Sequence, residues 1–178
     1  NMAKGTLNFQ NNLPVSSDQL LRILSDLDIK FDLYNHKPLF TVEDTKKLKK
    51  NFFLDNKKSG QIKNLYLRDK KKNNYLFVCE QNKIVNLQIL KDKLNSSRLS
   101  FGSDERLFEF LGVYTGAVSP FCMINGKKNV QLFFEIELQN FENLILHPFV
   151  CDRSIKISLH DIKKFLDFCG VKINWISI

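Results

Sequence analysis

Lys63 is the reactive residue in the least ordinary setting. It lies in the run IKNLYLRD, 62–69. In an extended strand successive side chains point to opposite faces, so Lys63 shares a face with Leu65 and Leu67. An ammonium on an apolar surface is costly without a partner, and a substrate could be that partner. The alternative is a strand-end lysine whose stem packs while its head reaches water. His36 and His147 sit in proline-containing loops, HKP and HPF, where rigid backbone can aim an imidazole into a cleft or simply hold a structural one. His160 follows a helix cap and reads as solvent-facing. GAVSP, 116–120, joins a glycine turn to a proline before an apolar run. Such a turn can leave backbone N–H groups free for an anion or carbonyl, or be a plain connection.

The four cysteines, Cys79, Cys122, Cys151 and Cys169, are far apart with no CxxC spacing, so neither a zinc knuckle nor a redox pair is expected. Walker, GxGxxG, HExxH and GxSxG patterns are absent from the sequence, which removes support for nucleotide hydrolysis, dinucleotide redox, zincin and serine-hydrolase chemistry. No metal and no cofactor are expected.

Charge points to the partner. The chain of 178 residues carries a net +8, and positions 46 to 72 hold eleven Lys or Arg against Asp55 and Asp69, a local balance of +9. A basic patch concentrated on a small domain suits a polyanion, nucleic acid being the commonest, although a solvated lysine-rich face reads the same way. The 16 Phe are consistent with nucleotide bias in the genome and are not read as a binding platform. No apolar run reaches the roughly 20 residues needed to span a bilayer, and a cytoplasmic protein without membrane contact is expected.

The elements that must position these groups follow from periodicity. Residues 1–15 read as an arm ahead of one domain, 16–178. Ser16 or Ser17 caps a helix running to about Asp28, with Leu20, Leu24 and Leu27 on one face. FDLY, 31–34, is a short strand. Thr41 and Asp44 resemble a capping box opening a lysine-rich helix, Val42 to Lys50. A hairpin of 62–69 and 75–80 joined by a basic turn comes next, apolar on both faces as inner strands are. A strand at 84–88, a helix at LQILKDKLN and a helix from Ser103 stopped by Gly112 follow. AVSPFCMI and VQLFFEI are expected strands around the turn NGKKN, with Asn and Gly suiting positive φ. LILHPF is a strand ending at Pro148, Ser158 caps a helix stopped by Gly170, and KINWISI is the last strand. Seven or eight strands and four or five helices, mixed in order, give an α+β domain.

Four runs, KNLYLRDKKKNNYLFV (63–78), HKPLFTVED (36–44), RLSFGSDERLFEFLGVYTGAVSPF (98–121) and HPF (147–149), together resemble the YbaK-type prolyl-tRNA editing domains. Within that family they are most similar to the free-standing branch that clears alanine from tRNA for proline. The resemblance implies a single α+β domain with a mixed, strongly curved sheet flanked by helices. It implies a trans-editing deacylase that hydrolyses the ester of mischarged tRNA(Pro), with alanine as the amino acid removed. The alternatives are cysteine or another small amino acid, or a silent tRNA-binding homologue. No enzyme nucleophile is implied: water attacks the ester and the terminal ribose hydroxyl assists. Lys63, Asn64 and His147 fall at catalytic positions, Lys63 as the charge that anchors substrate or stabilises the oxyanion. His36, Phe40, Thr41 and Gly116, Ala117, Val118, Ser119 and Pro120 fall at substrate-binding ones. Lys70, Lys71 and Lys72 become tRNA contacts. The implied partners are tRNA and prolyl-tRNA synthetase, and a monomer is expected. Two points stand against the pattern. Cys151 occupies the place of a family asparagine, bringing pocket polarity into question and offering either a nucleophile or an inert buried thiol. Lys63 and Asn64 also leave opposite faces of a regular strand, so one pocket uses both only at a strand end or bulge.

Overall fold

The computed structural model describes residues 2–39, 41, 43–44 and 59–178. The lysine-rich helix expected over 42–50 falls largely outside them, as do Phe40 and six of the eleven basic residues counted above; Thr41 Oγ1 does accept from the Asp44 N–H at 3.1 Å.

The hairpin is the spine. Strand β2 (Ser59–Asp69) pairs antiparallel with β3 (Asn74–Glu80). Six of the seven β3 residues are buried, because apolar clusters cover both its faces. One contains Leu76, Val78, Phe121, Phe134 and Phe165, the other Phe77, Cys79, Leu90 and Leu99. On one side of the hairpin β3 pairs parallel with β5 (Val130–Glu135), and β5 with β8 (Ile173–Ile176). On the other side β2 pairs parallel with β6 (Asn143–Leu146), which pairs antiparallel with β7 (Arg153–Ser158), and β7 with β1 (Phe31–Asn35). The short β4 (Leu99–Phe101) pairs with the far end of β2. The eight described strands therefore form one mixed sheet, flanked by helices α1 (Ser17–Asp26), α2 (Leu87–Leu94), α3 (Asp104–Leu111), α4 (Met123–Gly126) and α5 (Leu159–Cys169). The architecture is α+β.

Local chemistry set the helix ends. Ser16 and Gln19 form a reciprocal capping box, Ser103 and Ser158 cap α3 and α5, and Gly112 and Gly170 close them with φ of 69° and 74°. Elsewhere the chain departs from its periodicity. Residues 84–88 are not a strand: Asn86 accepts from the Gln88 and Ile89 N–H groups and starts α2, and Ile84 is 91% exposed. AVSPFCMI is not a strand either. Ser119 accepts from Phe121 N–H, Pro120 takes the first position of a 3₁₀ turn, Pro120–Cys122, and α4 follows at once. The 117–124 segment is buried almost throughout, so its apolarity carried no period. Asn125 and Gly126 complete α4, neither with positive φ. Strands β4 and β7 went unread in the sequence.

The arm is not detached. Residues 2–12 form two 3₁₀ turns; the Gly5 carbonyl accepts from Cys151 N–H at 2.8 Å, and both Asp152 carboxylate oxygens accept from Leu7 N–H at 2.9 and 3.1 Å.

Candidate active site

A break in strand pairing makes the cleft. β6 pairs with β2 only over residues 59–61 and β4 only over 67–69, so the strand pairing on that side is interrupted between them, although the Tyr66 carbonyl still accepts from the Gly102 N–H at 3.0 Å. Gln61 and Asp69 bond toward the β3 side, and antiparallel alternation then directs the backbone groups of Asn64 the other way, into the opening. A cleft of about 380 Å³ occupies it, walled by Ile62, Asn64 and Tyr66 of β2, Leu39 and Thr41, Gly102 and Asp104, Thr115, Gly116 and Val118, and His147. A recess of about 30 Å³ opens behind, among Leu39, Gln61, Ile62, Asn64, Ile145, Leu146, His147 and Ser154.

Asn64 Oδ1 is buried in this wall with no hydrogen-bond partner. Two residues on, Tyr66 donates its hydroxyl to Asn74 Oδ1 at 2.6 Å, and burial raises its pKa. Gly102 crosses flat against the Tyr66 ring. A Cβ there would come within 2.1 Å of the ring, so only glycine permits the crossing.

The glycine turn supplies the opposite wall. Gly116 has φ 92°, a conformation that costs a side-chain-bearing residue on the order of 1 kcal/mol or more. The Ala117 N–H donates to the Tyr114 carbonyl at 3.1 Å and the Ser119 N–H to Cys122 Sγ at 3.4 Å. Gly116 and Val118 line the cleft, and their N–H groups donate to no described residue. Ala117, Ser119 and Pro120 are buried behind the turn and do not line the cleft.

His147 closes the back. Its Nδ1 lies 2.7 Å from the Arg153 carbonyl, which can only accept, so Nδ1 carries the proton and Nε2 is a bare acceptor. Burial, reinforced by His36, lowers its pKa to about 4, so the ring is neutral at physiological pH. The loop that holds it puts Phe149 at φ 70°, and its N–H donates to the His147 carbonyl at 3.0 Å. His36 stands behind this ring at 6.0 Å between centroids, its Nε2 2.7 Å from Ser154 Oγ; it does not line the cleft.

Lys63 and Asn64 leave opposite faces. The register Ile62↔Glu80, Lys63↔Cys79, Asn64↔Val78 is regular, with no bulge. Lys63 nevertheless contributes to the cleft wall, because β2 has an open edge there that both faces border. Its ammonium donates to the Lys83 carbonyl. Lys70–Lys72 are exposed in the turn at the far end of the hairpin, which begins about 17 Å from Asn64, five extended residues along β2 to Asp69. Cys151 is fully buried and lies outside the cleft wall, with burial pushing its thiol up to about 11. It sets no pocket polarity and is held as the unreactive thiol. Among the described residues no group of three or more His, Cys, Asp or Glu side chains could hold a metal ion, and no helix is long and apolar enough to cross a membrane. The sequence reading missed Tyr66, Gly102, Asp104 and Thr115. Only Tyr66 had a signal, its place two residues from Asn64 on the same strand face.

The family model described as the aminoacyl-tRNA editing domain matches residues 36–165. The chain belongs to that family. The matched segment contains every cleft residue named above. The chain is similar to the prolyl-tRNA editing protein ProX of Acetoanaerobium sticklandii, 32% identical over 83% of this chain and 88% of the relative. It is also similar to prolyl-tRNA synthetase associated domain-containing protein 1 of Xenopus laevis, 27% identical over 85% and 90%. A crystal structure described as that of a candidate trans-editing enzyme for prolyl-tRNA synthetase shares the fold, with a TM-score of 0.64, 13% identity and coverage of 91% of this chain and 97% of the other.

Proposed function

We propose that this protein is a trans-acting deacylase that hydrolyses the ester of mischarged tRNA(Pro), with alanine as the preferred amino acid. One observation carries the reading. The cleft pairs a buried acceptor without a donor, Asn64 Oδ1, with two N–H groups without an acceptor, Gly116 and Val118, and burying unpaired polar groups is costly unless a ligand completes them. An aminoacyl ester supplies both complements. Its carbonyl oxygen accepts from the Gly116 and Val118 N–H groups, which strengthen as charge develops there during attack by water. Asn64 accepts from the attacking water or a ribose hydroxyl. Lys63, released from the Lys83 carbonyl around the open edge of β2, brings positive charge to the oxyanion. Neutral His147 shapes the pocket as an acceptor. His36 supports it through Ser154, and Thr41 borders the entrance.

The 30 Å³ recess supports alanine. It has room for about two water-sized groups, enough for a methyl group and short of a proline ring. Serine and cysteine, one atom larger, are discriminated only weakly by such a pocket. Residues 16–178 carry the activity and 1–15 act as an arm bracing the 147–152 loop. The exposed Lys70–Lys72 turn contacts tRNA backbone. The names of the relatives support prolyl-tRNA as the substrate and the synthetase as a collaborator; a cytoplasmic monomer is part of the same proposal. A second reading, a silent tRNA-binding homologue, is favoured by the Lys63 ammonium being held by a protein carbonyl. The test is release of amino acid from purified tRNA(Pro) charged with alanine, serine, cysteine or proline. Alanine should leave fastest and proline stay; no release from any of them would sink the deacylase.

A further inference from the structure

Asp104 is the one carboxylate among the described residues that wall the cleft. It stands in a site whose substrate is a polyanion, where a negative charge repels ligand unless it meets a cation. It is exposed, at the first position of α3, and its Oδ1 accepts from Thr115 Oγ1 at 2.8 Å. Thr115 immediately precedes Gly116, so the carboxylate is tied to the turn from which Gly116 and Val118 line the cleft. Thr115 uses one of the roughly four acceptor sites on the carboxylate, leaving the second oxygen unengaged.

Resting on the deacylase reading, we propose that Asp104 binds the α-ammonium of the aminoacyl group, with Thr115 orienting it. The acceptor end of an aminoacyl-tRNA carries a single cation, that ammonium. Its nitrogen lies about 2.5 Å from the ester carbonyl carbon by standard bond lengths and angles, so a carbonyl held at Gly116 and Val118 places the ammonium beside this turn. The pairing gives the enzyme a reason to accept aminoacyl ends and ignore uncharged tRNA, a selection the small recess, which holds no carboxylate, cannot make. An acidic residue at the start of a helix is also stabilising through the helix dipole alone. Glu105, next in the same first turn and outside the cleft wall, controls for that effect.

The probe is tRNA(Pro) carrying L-alanine through a non-hydrolysable 3′-amide, compared with the same tRNA carrying L-lactate, in which a neutral hydroxyl replaces the ammonium. The wild-type protein should bind the alanyl form about fivefold more tightly, the scale of a partly exposed charge-assisted contact. Asp104→Asn should bring that ratio to about one without weakening the lactyl form, Thr115→Val should reduce it part-way, and Glu105→Gln should leave it intact. Equal wild-type affinities, or equal weakening of both forms by Asp104→Asn, would overturn the proposal. Hydrolysis of alanyl-tRNA(Pro) is measured alongside. An ammonium preference without hydrolysis would overturn the deacylase and keep the ammonium site, whereas hydrolysis without the preference would do the reverse.

Discussion

Replacing Asp69 with asparagine should cost about 2 kcal/mol at neutral pH, and the cost should fade in acid. Asp69 is 6% exposed at the base of the hairpin turn. Its Oδ1 accepts from the Lys71 and Asn73 N–H groups at 3.0 and 2.9 Å. Its Oδ2 accepts from Ser97 N–H at 3.2 Å and lies 3.3 Å from both Asn73 Nδ2 and the Tyr75 hydroxyl. Burial opposes its ionisation, but the donors of Asn73 and Ser97 outweigh it and hold the pKa at about 2, below the ordinary 3.8. That lowering corresponds to about 2 kcal/mol of native stability. The folded pKa is the depressed one, so the stabilisation is complete above pH ~4 and is lost as pH falls toward 2. An asparagine keeps one acceptor oxygen and turns an N–H₂ group toward buried donors, a mismatch of the same order. Urea unfolding of both proteins at pH 7, 5, 3.5 and 2.5 measures the difference, and a thermal melt at pH 7 should drop by about 5 °C for a chain of this size. A difference below about 0.5 kcal/mol at pH 7, or one that stays constant down to pH 2.5, would refute the reasoning. Because Asp69 also fixes the turn that presents Lys70–Lys72, the variant should bind tRNA less tightly.

Four further outcomes are expected. Lys63→Ala should abolish deacylation with an unchanged melt, as suits a residue that places charge; near-normal turnover would remove Lys63 from the mechanism. Replacing Lys70, Lys71 and Lys72 together with alanine should weaken tRNA binding and flatten its salt dependence, and an unaltered slope would make the turn a solvated face. With its pKa held at about 4, His147 stays neutral from pH 5 to 8, so the rate should show no inflection attributable to it there. An inflection near 6.5 removed by His147→Asn would contradict this. Cys151→Ala should retain hydrolysis, because a buried thiol held up at about 11 is not a nucleophile at neutral pH; loss of turnover in a protein with an unchanged melt would reopen that role.

How far the sequence reached can be seen residue by residue. Two apolar runs, 62–69 and 75–80, joined by a basic turn specified the hairpin, and Ser16, Ser103, Ser158, Gly112 and Gly170 specified helix ends, because capping and left-handed termination are satisfied by groups a few residues apart. Where burial is complete the alternation vanishes, and the helical turns at 120–126 therefore read as a strand. Lys63 stood out through its misfit with its own face, and Asn64, Gly116, Val118 and His147 through the order and spacing of the runs around them. The opening between Gln61 and Leu67 lay beyond that reach. It depends on how far β6 and β4 each run along β2, and nothing local to 62–66 encodes the length of strands eighty residues and thirty residues away. The same holds for Asp104, which in sequence is a helix's first residue and in the fold is tied by Thr115 to the glycine turn. Local chemistry decided which residues could act, and only tertiary packing decided which of them share a cleft.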